Sequence, residues 1–128
     1  MAPSPGAMVE VAARAAEEKK GFDILVLDIH RLTVVSDYFV LISGRSTVHV
    51  KACAEYIREQ LQEKLGVQAL RVEGLREGQW VLLDYGDVVI HVFLESERAF
   101  YNLERLWGDA PVVKLPVTIS MSKIVPGK

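Results

Sequence analysis

A single cysteine in 128 residues, Cys53, rules out an intrachain disulfide and leaves no Cys pair for a zinc site. A chain of this length buries roughly two-thirds of the surface its unfolded form exposes, so it can hold a core without such staples. The lone thiol points to a reducing compartment, and the expected location is the cytoplasm. Long apolar runs are missing too. The longest is Tyr38-Phe39-Val40-Leu41-Ile42, far short of the ~20 residues a membrane-spanning helix needs. Residues 1–8 lack the basic start and long apolar stretch of a signal peptide. Glycine and proline are not enriched, at 9 and 5 residues, and no repeat or low-complexity segment appears. One domain is therefore expected over residues 9–110, with a flexible lead at 1–8 and an extension at 111–128.

A basic stripe is absent as well. The chain carries 15 Lys plus Arg against 17 Asp plus Glu, a balance of −2, and no cation run exceeds Lys19-Lys20. A protein that binds by neutralising phosphates would normally show more. The acids are unevenly placed, because six of them between positions 84 and 109 face only Arg98 and Arg105, a local balance of −4. An acidic half of this kind favours a basic protein partner.

What is present is a regular succession of elements. The Ala, Glu, Lys and Arg of residues 9–20 favour a helix, with Gly21 placed as its left-handed cap. Ile24-Leu25-Val26-Leu27 and Tyr38 to Ile42 are continuous apolar runs that suit strands buried on both faces. Gly44-Arg45-Ser46-Thr47 opens a long helix whose Val50, Cys53 or Ala54, Ile57, Leu61 and Leu65 recur at spacings of three and four before Gly66 stops it. Residues 67–73 read as a third strand, 75–79 as a loop, and 80–84 and 88–93 as a hairpin turning at Tyr85-Gly86-Asp87. Ser96 is placed to cap a last helix lined by Phe100, Leu103 and Trp107 and ended by Gly108 and Pro111. The expected fold is α/β, a mixed sheet of about five strands with helices on its faces.

Chemistry has few candidates. The Ser43-Gly44-Arg45-Ser46 turn invites a phosphate at a helix start, but neither a Walker loop nor a dinucleotide fingerprint follows. The order of elements resembles the nucleotidyltransferases, in which alternating acids on the next strand hold metal ions. An Asp-x-Asp pair puts two carboxylates on one strand face, within reach of a shared Mg²⁺, and residues 67–73 contain no such pair. Asp84 and Asp87 are three apart across a turn. His30, His49 and His91 have no Cys or acid at ligand spacing beside them, so no metal and no cofactor is expected. The hairpin remains. Trp80 with Asp84, Tyr85, Gly86 and Asp87 combines an aromatic anchor with acids, as docking on a basic protein requires. A second account stays open, with Trp80 in the core and the acids serving only the turn.

The hairpin Trp80 to Phe93, preceded by Ser36-Asp37-Tyr38-Phe39-Val40 and followed by Tyr101-Asn-Leu-Glu-Arg-Leu-Trp107, resembles the ribosomal silencing factors, also called Iojap-related proteins, in blocks that keep the family's order from about Val9 to Trp107. The resemblance implies a nucleotidyltransferase-like fold without the catalytic acids. It also implies a non-enzymatic repressor that binds the large ribosomal subunit through its ribosomal protein fourteen and blocks joining of the small subunit. Trp80 matches the family's aromatic, Asp84, Gly86 and Asp87 its Asp-x-Gly-Asp turn, and Tyr85 its variable position. RNA contact is expected to be secondary, and a homodimer stays open. Two rivals remain. One is a small nucleotidyltransferase-like enzyme using the Gly44 turn, and the other a nucleic-acid binder with a basic face built from Arg14, Lys19, Lys51, Arg58 and Arg71.

Overall fold

The computed structural model describes residues 3–29 and 36–101. In chain order they form α1 (Pro5–Glu18), β1 (Phe22–Asp28), β2 (Tyr38–Gly44), α2 (Thr47–Leu65), β3 (Arg71–Glu73), β4 (Trp80–Asp84), β5 (Val88–Leu94) and α3 (Glu95–Tyr101). The strands make one mixed sheet in the order β1-β2-β5-β4-β3, with β2 parallel to β5 and the remaining pairs antiparallel. This is the α/β architecture expected. No helix among the described residues is long and apolar enough to cross a membrane.

Alternation along each strand divides the apolar residues between two faces. Ile24, Val26, Val40, Ile42, Val81, Leu83, Ile90 and Val92 pack beneath α1 and α2. Leu25, Leu27, Ile29, Leu41 and Phe93 form a second cluster on the opposite face, with Phe39 and Trp80 partly buried against it. Both faces are filled, which is why the strands read as unbroken apolar runs. α3 belongs to the second face, where buried Arg98 donates to the Asp23 carbonyl at 2.6 Å and to Ser43 Oγ at 2.9 Å.

Several boundaries differ from expectation for physical reasons. α1 begins at Pro5, not after residue 8, because Ser4 accepts the Ala7 N–H and Pro5 suits a first helical turn. Its left-handed residue is Lys20 (φ 63°), not Gly21. Gly21 N–H closes on the Ala16 carbonyl and Lys20 N–H on the Glu17 carbonyl, the Schellman pattern. Gly21 is required by close packing, since a Cβ there would lie 2.8 Å from Ile42 Cγ2. Lys20 therefore sits in a conformation that costs a side-chain-bearing residue roughly 1–2 kcal/mol. β3 is shorter than residues 67–73, because β4 ends at Asp84 and offers only Leu82, Leu83 and Asp84 as ladder partners. α3 starts at Glu95, one residue ahead of the cap proposed at Ser96, with Glu95 and Glu97 in its first turn. His30, Leu103, Trp107, Gly108 and the extension 111–128 lie outside the described residues.

α2 follows the sequence reading. Ser46 accepts the His49 N–H at 3.1 Å, Gly66 caps in the left-handed region, and Val50, Cys53, Ala54, Ile57 and Leu61 are buried. Burial among these residues pushes the Cys53 thiol up to about 12, so it is packed as an inert apolar group.

Candidate functional site

The β4–β5 hairpin carries all five residues singled out from the sequence, and the sheet sorts them. Trp80 opens β4 on the face away from α1 and α2, half-buried, opposite Phe93 with ring centroids 5.1 Å apart. Asp84 lies on the same face at the other end of the strand, about 13 Å away at ~3.3 Å per residue. Tyr85 points the other way. It is buried under α2 and closes a groove of ≈ 400 Å³ lined by Arg58, Gln62, Val67 and Ala69 among others. Burial pushes its phenol above the ordinary value, and the nearby Arg58 pulls it back. The structure therefore separates Tyr85 from Trp80.

The turn is built from local hydrogen bonds. Tyr85 N–H donates to the Val88 carbonyl at 2.9 Å, leaving Gly86 and Asp87 as the two-residue tip, with Gly86 at φ 85° where a side chain would be strained. Asp84 Oδ1 accepts the Gly86 N–H at 2.8 Å, and its Oδ2 lies 3.5 Å from Arg71 Nη2. Asp84 thus serves the turn. Asp87 is exposed, and its carbonyl accepts the N–H groups of Asp37 and Tyr38 at 2.8 and 3.0 Å. Ser36 Oγ donates to the Gly86 carbonyl at 2.8 Å. Two separate sequence blocks therefore form one body, in which the start of β2 holds the tip that presents the Asp87 carboxylate.

Three neighbours complete this region, of which the sequence had offered only His91, as a histidine without metal-ligand spacing. His91, 4 % exposed, accepts the Trp80 indole N–H on Nδ1 at 3.1 Å and lies between Phe39 and Phe93. Its proton therefore sits on Nε2, which has no partner. Leu82, half-buried, lies beside it in register. Leu70, 72 % exposed, reaches the Gly86 tip from the start of β3.

Burial lowers the His91 pKa from 6.5 to about 4. The unfolded chain then binds more protons than the native one between those values, so stability falls as pH drops through that window. The expected loss is about 3 kcal/mol. His91→Phe should flatten this part of the profile in urea midpoints taken from pH 7 to pH 4. An unchanged slope in the variant would assign the effect to other groups.

The Gly44 turn is occupied by its own chain. Arg45 N–H donates to His49 Nδ1 at 3.0 Å and His49 N–H to Ser46 Oγ, while a Cβ on Gly44 would lie 2.7 Å from Val50 Cγ2. Two of the N–H groups a phosphate would use are already held, and the glycine answers to packing.

Comparison with known proteins matches residues 2–125 to the family model described as ribosomal silencing factor during starvation. The chain belongs to the ribosomal silencing factor family. The match extends through the lead and well into the extension, beyond the blocks at 9–107 on which the resemblance rested. The chain is 46 % identical to the ribosomal silencing factor RsfS of Bacillus subtilis, over 84 % of this chain and 91 % of that one. A crystal structure of a Chromobacterium violaceum protein superposes with a TM-score of 0.80 at 36 % identity, covering 92 % of this chain and 97 % of the other. A mouse relative, 29 % identical over 77 % of this chain and 44 % of its own length, is named mitochondrial assembly of ribosomal large subunit protein 1. The RsfS relatives are named as silencing factors and not as enzymes.

Proposed function

We propose that this chain docks on ribosomal protein fourteen of the large ribosomal subunit through the second face and tip of the β4–β5 hairpin, and prevents the small subunit from joining. The observation that carries the reading is the hairpin itself: within a ribosomal silencing factor fold, a half-buried Trp80 and an exposed Asp87 are held on one braced element. Aromatic anchors supply buried area at an interface, and an acid at its edge steers a basic partner. The mouse relative's name supports the choice of subunit. Obstruction needs only volume at the joining face, so no bond is made or broken and no cofactor is used. The action places the protein in the compartment where ribosomes assemble on messages, here the cytoplasm.

Co-sedimentation with separated subunits tests this. The wild type should travel with the large subunit and not with the small one. Asp87→Lys should slow association at low salt by roughly tenfold, while Glu10→Lys in α1 should leave it unchanged. Asp84→Lys is a poorer probe, because it also removes the acceptor for Gly86 N–H. Equal recovery with both subunits, or an Asp87→Lys variant that matches the wild type, would refute the assignment of the tip.

A further inference from the structure

Every residue of β5 from Val88 to Phe93 is buried, and His91 is the one polar side chain among them. A buried polar ring costs free energy unless its nitrogens are matched, and Nε2 of His91 has no partner among the described residues. A phenyl ring would fill the same place with no nitrogen to match. Packing alone therefore does not call for an imidazole. What the imidazole supplies, and a phenyl ring would not, is an acceptor at Nδ1.

The register of the sheet gives that acceptor its use. Trp80 faces Phe93 and Leu82 faces His91, so on the second face His91 lies diagonally across from Trp80, within reach of a long aromatic side chain. The indole Nε1–H donates to His91 Nδ1 at 3.1 Å, and indole has no other donor to place. The imidazole is itself held. It stacks on Phe93 with the ring planes 8° apart and meets Phe39 of β2 in a T-shaped contact with centroids at 4.8 Å. Burial lowers its pKa to about 4, which keeps it neutral near pH 7, so Nδ1 retains the lone pair the indole needs. Phe39, His91 and Trp80 thus form one line of contacts from β2 through β5 to β4, and the indole at its end is half-buried.

We infer that His91 is a positioning residue for docking: through Nδ1 it fixes the orientation of the Trp80 indole before the ribosomal protein arrives. At 4 % exposure it does not reach a partner itself. Its contribution is preorganisation, because an anchor already held in its bound orientation loses less side-chain freedom on association. The inference rests on the docking reading above and adds to it the residue that sets the anchor.

The test measures melting temperature and affinity for large subunits in His91→Phe, His91→Asn, Trp80→Ala and the double variant Trp80→Ala with His91→Phe. Phenylalanine keeps the ring contacts and loses the acceptor, so His91→Phe should melt near the wild type and bind roughly fivefold more weakly, the equivalent of one net hydrogen bond. Asparagine loses the ring but puts an amide oxygen near the place of Nδ1, so His91→Asn should melt lower and yet bind more tightly than His91→Phe. A merely structural histidine would give the opposite order. In the Trp80→Ala background the same Phe substitution should change affinity by less than about twofold, because its route to the partner is gone. A His91→Phe variant equal to wild type in affinity, a loss that persists in full without Trp80, or binding that follows the order of melting temperatures each overturns the positioning role and leaves the docking reading in place. Trp80→Ala with wild-type affinity overturns Trp80 as the anchor and this inference with it. A wild type that binds no large subunit overturns the docking reading and the positioning role together.

Discussion

Trp80→Ala should weaken binding to the large subunit by about thirtyfold or more, the loss that corresponds to removing an interfacial aromatic anchor worth about 2 kcal/mol. The side chain is half-buried, so truncation acts twice. It removes the indole from Phe93 and leaves His91 Nδ1 without its donor, which costs the fold about 2–3 kcal/mol. A domain with the usual 5–15 kcal/mol of stability remains folded under that load. Melting curves and binding isotherms taken below the transition separate the two effects. A variant with a lowered melting temperature and wild-type affinity would confine Trp80 to the core. A loss of binding in a folded variant would put the docking face on the side of the sheet away from α1 and α2.

Order of addition should decide whether the protein works by occupying space. Given to free large subunits before the small ones are mixed in, saturating protein should abolish most of the yield of joined ribosomes in a sucrose gradient. Given to ribosomes already joined, it should act only as fast as they come apart. If the proposed docking holds, a 128-residue body held at the hairpin and the small subunit compete for one surface. Competition of this kind follows mass action, so the block should be relieved by excess small subunit and should weaken in parallel with binding in the Trp80→Ala and Asp87→Lys variants. Equal inhibition in either order would show that the protein acts without occupying the joining face.

The two probes differ in what the sequence could say about them. Strand parity alone places Trp80 and Asp84 on one face and Tyr85 on the other, because side chains alternate. Which face α1 and α2 cover depends on how β2 crosses over to lie parallel to β5 through α2, β3 and β4, and no local pattern reports that. Asp84 reads as an acid facing a partner until the turn is folded, when its carboxylate is found on Gly86 N–H and beside Arg71. Asp87, three residues on, is left exposed.

The amino-acid sequence by itself determined what depends on neighbours three or four residues apart. This covers the caps and apolar face of α2, the Gly86 turn, the order of elements, and strands buried on both sides, since each follows from a repeat or a local hydrogen bond. The tertiary structure decided what depends on distant partners. Gly21 answers to Ile42, β3 stops where β4 stops, and Lys20 takes the strained cap position because Gly21 is needed one step later. His49 ties the Lys19 carbonyl to the Arg45 N–H although β1 and β2 lie between them in the chain. The physical reason is the same in each case: a contact between distant residues forms only when the sheet and helices between them are packed, so its energy leaves no periodic trace along the chain.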